Sequence, residues 1–271
     1  MSTAYKRAHH IRIVQSRQNA RVKELRAAFA RASRTESGLL AIEGEHLLQE
    51  AASSGLKFHT VFVEQGSEAL LDRLQVPATS DILVLLPEVF TSAVHTESPQ
   101  GIAALVDLPS FTLEKVLAGV RPLVLIAAGL QDPGNLGTLI RSAEAFGATG
   151  CVVLPGTVSP DNQKTMRASA GSIFRLPCVI ACEDHVFHEL AQRGIRTLAA
   201  VATGGQPPAQ LDLARPCALI VGNEGSGIPP SLLRRADARV TISTPGPVES
   251  LNAAIAGSIL LYEAARQRQQ L

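Results

Sequence analysis

Apolar residues are distributed in two ways along this chain. In the second half, short and almost uninterrupted apolar runs recur at 123–127, 151–154, 178–180, 197–201, 218–221 and 240–242. Runs of this length without polar alternation predict strands covered on both faces, as in a parallel sheet. Helical spacing falls between them, near 135–146, 163–170, 186–192 and 229–235, and a last helix closes the chain. In the first half the runs are shorter and mixed: strands are predicted within 38–45 and at 60–63, 82–85 and 101–106, with helices near 45–53, 68–74 and 87–94. Both halves therefore read as α/β. The segment 108–120, with Pro109 and Gly119, reads as a linker holding a short helix. The organisation expected is a small α/β domain over 1–107, the linker, and a larger domain over 121–271.

Charge changes this picture at one end. The net charge is +1, yet residues 1–35 hold nine Lys and Arg against a single acid, Glu24. On a helical projection of SRQNARVKELR, the cations Arg17, Arg21, Lys23 and Arg26 lie beside an apolar face of Val22, Leu25 and Phe29. A solvated basic helix is the ordinary explanation. The alternative is a basic arm for a phosphate-rich partner, RNA sooner than a membrane because no Trp anchors are present. Such an arm should be removable without harm to a pocket in the other domain. His9, His10 and His95 read by default as surface or loop residues, with an RNA contact the alternative for His95.

The remaining composition mostly excludes. No apolar run reaches bilayer length and the N-terminus lacks an apolar leader core, so a cytoplasmic location is expected. The four cysteines lack zinc-ligand spacing and read as reduced thiols, with no metal site.

Three polar, glycine-bearing stretches follow apolar runs in the second half: GLQDPGNLGTLIR (129–141), GNEGSG (222–227) and VTISTPGPVESLNAAIAGSILLYEAAR (240–266). Ligand sites in open parallel sheets lie at the carboxyl ends of strands, so these stretches share one edge. A dinucleotide site is excluded, because Gly129, Gly134 and Gly137 miss the GxGxxG spacing and the next strand ends without an acid. Two readings stay open for individual residues. Arg141 is either a surface charge paired with Glu144 three residues on, or a functional cation emerging from a buried helix. Ser250 is either the N-cap of the last helix or a site residue. The small residues Ala253, Ala254, Ala256, Gly257 and Ser258 predict a close helix contact, within the chain or with a second copy.

Taken together, NLGTLIRSAEAFG, LIVGNEGSGI and ISTPGPVESLNAAIAGSILLYEAAR resemble the three motifs of the SpoU-type (TrmH-like) RNA ribose 2'-O-methyltransferases, in the family's order and spacing. SRQNARVKELR, AIEGEHLLQEA and SPQGIAAL in the first half resemble the family's substrate-binding domain, itself similar to an RNA-binding ribosomal-protein fold. The resemblance implies a SPOUT domain with a parallel sheet and a deep trefoil knot, a homodimer joined through the last helix, and S-adenosylmethionine as cofactor. It implies a pocket around Ala200, Thr203, Gly222, Ile242 and Leu251, and assigns Arg141, Asn135, Glu224, Ser250 and Asn252 to catalysis. The implied substrate is structured RNA, 23S ribosomal RNA ahead of transfer RNA. The alternatives are a catalytically silent, dimeric RNA-binding protein and a base-modifying relative. A guanidinium with a pKa above about 12 is a poor base, so Arg141 is expected to orient the ribose hydroxyl and the adjacent phosphate, with the proton passing to that phosphate or toward Ser250.

Overall fold

The computed structural model describes residues 11–31, 34–74, 76, 80–94, 96 and 98–269. Lys6, Arg7, His9, His10 and His95 lie outside the described residues. Two compact units are formed, one by residues through Ser110 together with Asp161–Gln163 and the other by Phe111–Pro160 together with Lys164 onward.

In the first unit the elements run β1 (Ile11–Val14), α1 (Ala20–Arg31), β2 (Leu40–Glu43), α2 (Glu45–Ser53), β3 (Lys57–Glu64), α3 (Ala69–Leu74), β4 (Asp81–Leu85), α4 (Pro87–Ala93) and β5 (Ile102–Asp107). They build a five-stranded sheet of order β1-β4-β3-β5-β2. Strands β1, β4 and β3 are parallel, and β5 runs antiparallel to both β3 and β2.

The segment expected as a detachable basic arm is built into this core. Ile11–Val14 pairs along its whole length with Ile82–Leu85. Helix α1 starts where the Asn19 side chain accepts the N–H groups of Arg21 and Val22, and it buries Val22, Leu25, Ala28 and Phe29. The sequence IRIV is too short and too charged to announce an edge strand. Its partner lies about 70 residues away, which no local pattern encodes. Deleting residues 1–35 would therefore remove an edge strand and a core helix, and is no longer a clean test of RNA binding.

The second unit runs α5 (Leu113–Val116), β6 (Leu123–Ala128), α6 (Pro133–Ala145), β7 (Gly150–Val153), α7 (Gln163–Ser169), β8 (Cys178–Ile180), α8 (Glu183–Gln192), β9 (Arg196–Ala200), β10 (Cys217–Gly222), α9 (Pro230–Arg235), β11 (Ala238–Val240) and α10 (Ala253–Gln269). The six strands are all parallel, in the order β11-β9-β10-β6-β7-β8. Strands β6, β7 and β10 are buried along their whole length and β9 through its middle, as continuous apolar runs require. Helix α5, from the segment read as a linker, carries Val116 into this unit's core, and Leu117 follows it.

From β6 the chain moves outward to β7 and β8, whereas from β10 it moves past β9 to β11. The carboxyl ends of β6 and β10 are thus neighbours whose onward loops diverge, and a crevice opens there.

Two local departures from the sequence reading shape that edge. Strand β11 ends at Val240, and residues 239–241 run between two partners. Val201 N–H donates to Val240 O (2.9 Å), Gln206 N–H donates to Arg239 O (2.9 Å) and Thr241 N–H donates to Gln206 O (3.0 Å). Gly205 allows this proximity, since a Cβ there would stand 2.8 Å from Thr241 N. Helix α10 starts at Ala253, and its cap is Asn252, whose Oδ1 accepts the N–H groups of Ala254 (2.9 Å) and Ile255 (3.2 Å). Ser250 lies too far upstream of the first turn to cap it.

Candidate active site

Each of the three glycine-bearing stretches contributes to the crevice at β6 and β10. After β6, Gly129 takes a positive φ of 77°. Its N–H donates to Thr157 Oγ1 (2.8 Å), and its carbonyl accepts from Asn223 Nδ2 (2.8 Å) and Gln131 Nε2 (3.1 Å). Gln131 Nε2 also donates to Gly156 O (2.7 Å), tying together the loops after β6 and β7. After β10, Asn223 organises GNEGSG: its Oδ1 accepts the N–H groups of Gly225 and Ser226, both at 2.9 Å. Gly222 must be glycine, because a Cβ would meet the Gly227 carbonyl at 2.5–2.6 Å.

Helix α6 then brings polar residues together. Asp132 caps it by accepting the Asn135 N–H (3.1 Å), and its other oxygen pairs with Lys164 Nζ (3.2 Å). These contacts, the backbone one first, hold the Asp132 carboxyl below its ordinary range. Asn135 Nδ2 donates to Glu224 Oε1 (2.7 Å), and Asn135 Oδ1 accepts from Asn252 Nδ2 (3.1 Å). Because Asn252 Oδ1 is committed to the N-terminus of α10, the amides form a directed chain from that helix through Asn252 and Asn135 to Glu224. Burial opposes ionisation of Glu224. The Asn135 amide and the backbone N–H groups of Glu224, Gln131 and Asp132 outweigh it, and the carboxyl is held below its ordinary range.

Beside this chain lies a cavity of about 320 Å³. Its lining includes Ala200, Gly222, Ile242, Leu251 and Ser250, so the turn before α10 folds back toward Gly222. Val221, Val240, Thr244 and Leu260 also line it, as do the acidic residues Glu224 and Glu249. Thr203 is not in the lining; it sits on the adjoining exposed turn. Among the described residues no group of three or more His, Cys, Asp or Glu could hold a metal, and the four thiols are unpaired by disulfides.

Arg141 stands apart. Along α6, Asn135, Leu139, Ser142 and Phe146 face α10: they meet Asn252, Gly257, Ser258 and Tyr262. Gly134, Gly137 and Glu144 face the segment from α7 to Arg175. Arg141 falls on that second stripe by its spacing, about 120° around the helix and about 9 Å along it from Asn135. It is exposed. Glu144, the partner considered for it, is engaged by Arg175 at 2.6 Å. Of the four basic residues near the N-terminus, Arg17 and Lys23 are exposed and Arg21 pairs with Glu24 (2.8 Å). Arg26 is half-buried, its guanidinium donating to Ser92 O (2.8 Å), Ser92 Oγ (3.1 Å) and Arg17 O (3.4 Å).

Residues 122–262 match the profile of the SpoU rRNA Methylase family. The chain belongs to this family. Residues 19–104 match the MRM3-like substrate binding domain, so a SpoU-family unit follows a substrate-binding unit. Among SpoU-family relatives, the 23S rRNA (guanosine(2553)-2'-O)-methyltransferase RlmP of Bacillus subtilis strain 168 is 34% identical over 253 residues, covering 92% of this chain and 97% of that protein. The 23S rRNA (uridine(2479)-2'-O)-methyltransferase of Streptomyces viridochromogenes is 28% identical over 92% of this chain and 91% of its own. A crystal structure of the SpoU methyltransferase AviRb from Streptomyces viridochromogenes in complex with AdoMet is similar at a TM-score of 0.81, with 26% identity and coverage of 93% and 99%.

Sequence reasoning missed three residues of this edge: Gln131, Asp132 and Asn223. Asp132 before Pro133 is an N-cap signature in plain view. Asn223 and Gln131 act through carbonyls of distant loops, which leave no local trace.

Proposed function

We propose that this protein is an S-adenosylmethionine-dependent 2'-O-ribose methyltransferase of structured RNA, with 23S ribosomal RNA as substrate, a setting that places it in the cytoplasm. The observation that carries the reading is the convergence of Asn135, Glu224 and Asn252 through two side-chain hydrogen bonds beside the cavity at β6 and β10. The cavity suits the cofactor: it is of small-molecule size, mostly apolar, glycine-walled at Gly222, and offers carboxylates to a cation. When bound, S-adenosylmethionine supplies a methyl already activated by its sulfonium.

What the chain must add is position, orientation and a path for one proton. The directed amide chain holds the two pocket loops at fixed separation. It also commits the Glu224 oxygens to hydrogen bonds, which argues against Glu224 as the proton acceptor. We assign Arg141 to orienting the ribose hydroxyl and its neighbouring phosphate, with that phosphate or the Ser250 region accepting the proton.

A homodimer fits the same reading. The small residues Ala253, Ala254 and Gly257 are buried in this chain's own core, so they do not account for a seam. Ile255, Ile259 and Tyr262, spaced i, i+4 and i+7, leave an exposed apolar stripe on α10 instead. Since Arg141 lies off the face that carries Asn135, we assign its partner pocket to the second copy. The passage of 239–241 between Val201 and Gln206 is what a threaded crossing requires, and we read it as part of the trefoil knot.

Incubation with S-adenosylmethionine and 23S ribosomal RNA is expected to yield an alkali-resistant dinucleotide, the mark of a 2'-O-methyl group. Methylation confined to a base would support the base-modifying alternative. Absence of calorimetric cofactor binding at millimolar concentration would support the silent RNA-binding protein, and methylation of transfer RNA alone would move the substrate.

A further inference from the structure

Resting on the reading of the cavity as the cofactor pocket, we propose that Glu249 makes this pocket select the sulfonium cofactor over its demethylated thioether product. In the transfer the sulfur–methyl bond breaks with its electron pair going to sulfur, an oxygen–methyl bond forms, and the hydroxyl proton leaves. The cofactor therefore loses one positive charge: its sulfonium, ammonium and carboxylate sum to +1 before transfer, whereas the product is a neutral zwitterion. Substrate and product cofactor otherwise differ by one methyl group, and burial of a methyl is worth only about fourfold in affinity. A pocket that tells them apart does so chiefly by charge.

The lining is arranged for that. Among the described residues of one chain its charged members are Glu224 and Glu249, and the Arg141 assigned to it from a second copy is left in place by a change at Glu249. The two carboxylates come from different walls. Glu224 belongs to the loop after β10, and Glu249 to the turn that precedes α10. Glu224 is a fixed anion: its carboxyl is held below the ordinary range, and its oxygens are engaged by Asn135 Nδ2 and by the Gln131 N–H (3.4 Å). Glu249 stands on an exposed turn, in the lining beside Ser250 and Leu251. It is the carboxylate whose charge can be altered without breaking the Asn252–Asn135–Glu224 chain. A single carboxylate at pocket distances in a partly solvated site changes the affinity of a unit cation by about three- to tenfold.

The consequence is directional. A carboxylate wall favours loading of the cation, and on transfer its attraction for the product disappears, which helps the product leave. The test is calorimetry on the full chain with three ligands: S-adenosylmethionine, S-adenosylhomocysteine, and the analogue carrying an amine in place of the sulfonium. In Glu249→Gln both cations are expected to weaken about three- to tenfold, while the thioether stays within about twofold. In Glu249→Lys the order is expected to reverse in favour of the thioether. Raising the salt should weaken the cations and spare the thioether in the wild type, with this difference reduced in Glu249→Gln.

Equal weakening of all three ligands would make Glu249 a structural residue of the turn and overturn the proposal. So would no change in any of them. Failure of the wild-type chain to bind any of the three would overturn the cofactor-pocket reading itself, and the proposal with it.

Discussion

A cation's role here depends on what its donors already hold. Arg26 has the sequence credentials of an RNA contact, yet its guanidinium clamps the end of α4 through the Ser92 carbonyl and hydroxyl. Arg26→Ala is expected to cost about 1–2 kcal/mol of stability in urea unfolding. It should leave the salt dependence of RNA binding unchanged. Arg17→Ala and Lys23→Ala should do the reverse, each lowering the slope of log affinity against log salt by about one if it meets a phosphate. A second residue-scale prediction concerns Glu224. A carboxyl with a depressed folded pKa contributes stability that is present above its unfolded value and lost as the pH falls through the folded value. Carbon-detected titration of Glu224 should therefore inflect below the ordinary 4.5. In Asn135→Ala, which removes the largest lowering contact, the inflection should move upward and the stability lost on acidification between the unfolded and folded values should shrink.

At the scale of elements, α6 does two jobs with two stripes. One stripe locks the helix to α10, and the other admits α7 to close range through Gly137. A Cβ on Gly137 would lie 2.6 Å from the Ala168 Cβ and 3.0 Å from the Ser169 N. In an open helix Gly→Ala stabilises by up to about 1 kcal/mol. Gly137→Ala is expected to destabilise instead, by about 1–3 kcal/mol, as read from the urea midpoint. A rise in that midpoint would mean that α7 can give way. The cap of α10 follows the same logic of double use. Asn252 serves the helix with Oδ1 and the pocket with Nδ2, so one amide sets both the helix start and the reach of the chain to Glu224.

At the scale of the whole molecule, the assignments to Arg141 and to the α10 stripe are linked. Ile259→Asp with Tyr262→Glu is expected to give a monomer by sedimentation that keeps its circular dichroism and loses methyl transfer. If Arg141 serves the partner's pocket, mixing inactive Arg141→Ala chains with inactive Gly222→Val chains should restore activity, because the mixed dimer holds one intact composite site. Two inactive variants that stay inactive after verified chain exchange would place Arg141 in the service of its own chain.

Much of this was legible in the sequence because it is locally encoded. Uninterrupted apolar runs specify doubly covered parallel strands wherever they pair, and Gly, Pro and Asn mark the loops at their ends, so the sheet and the three stretches at its edge could be read from residue order. Ser250 and Asn252 compete for one helix start, and only the first turn's N–H groups decide between them. The β1 strand depended on a partner about 70 residues away, and Gly257 of α10 took its meaning from Leu139 and Val221 of distant elements. Which strands are neighbours, which face of α6 each residue occupies, and hence which polar groups meet are properties of packing between distant segments. The sequence determined the chemistry available at this edge; the tertiary structure decided that Asn135, Glu224 and Asn252 share it and that Arg141 stands on another face.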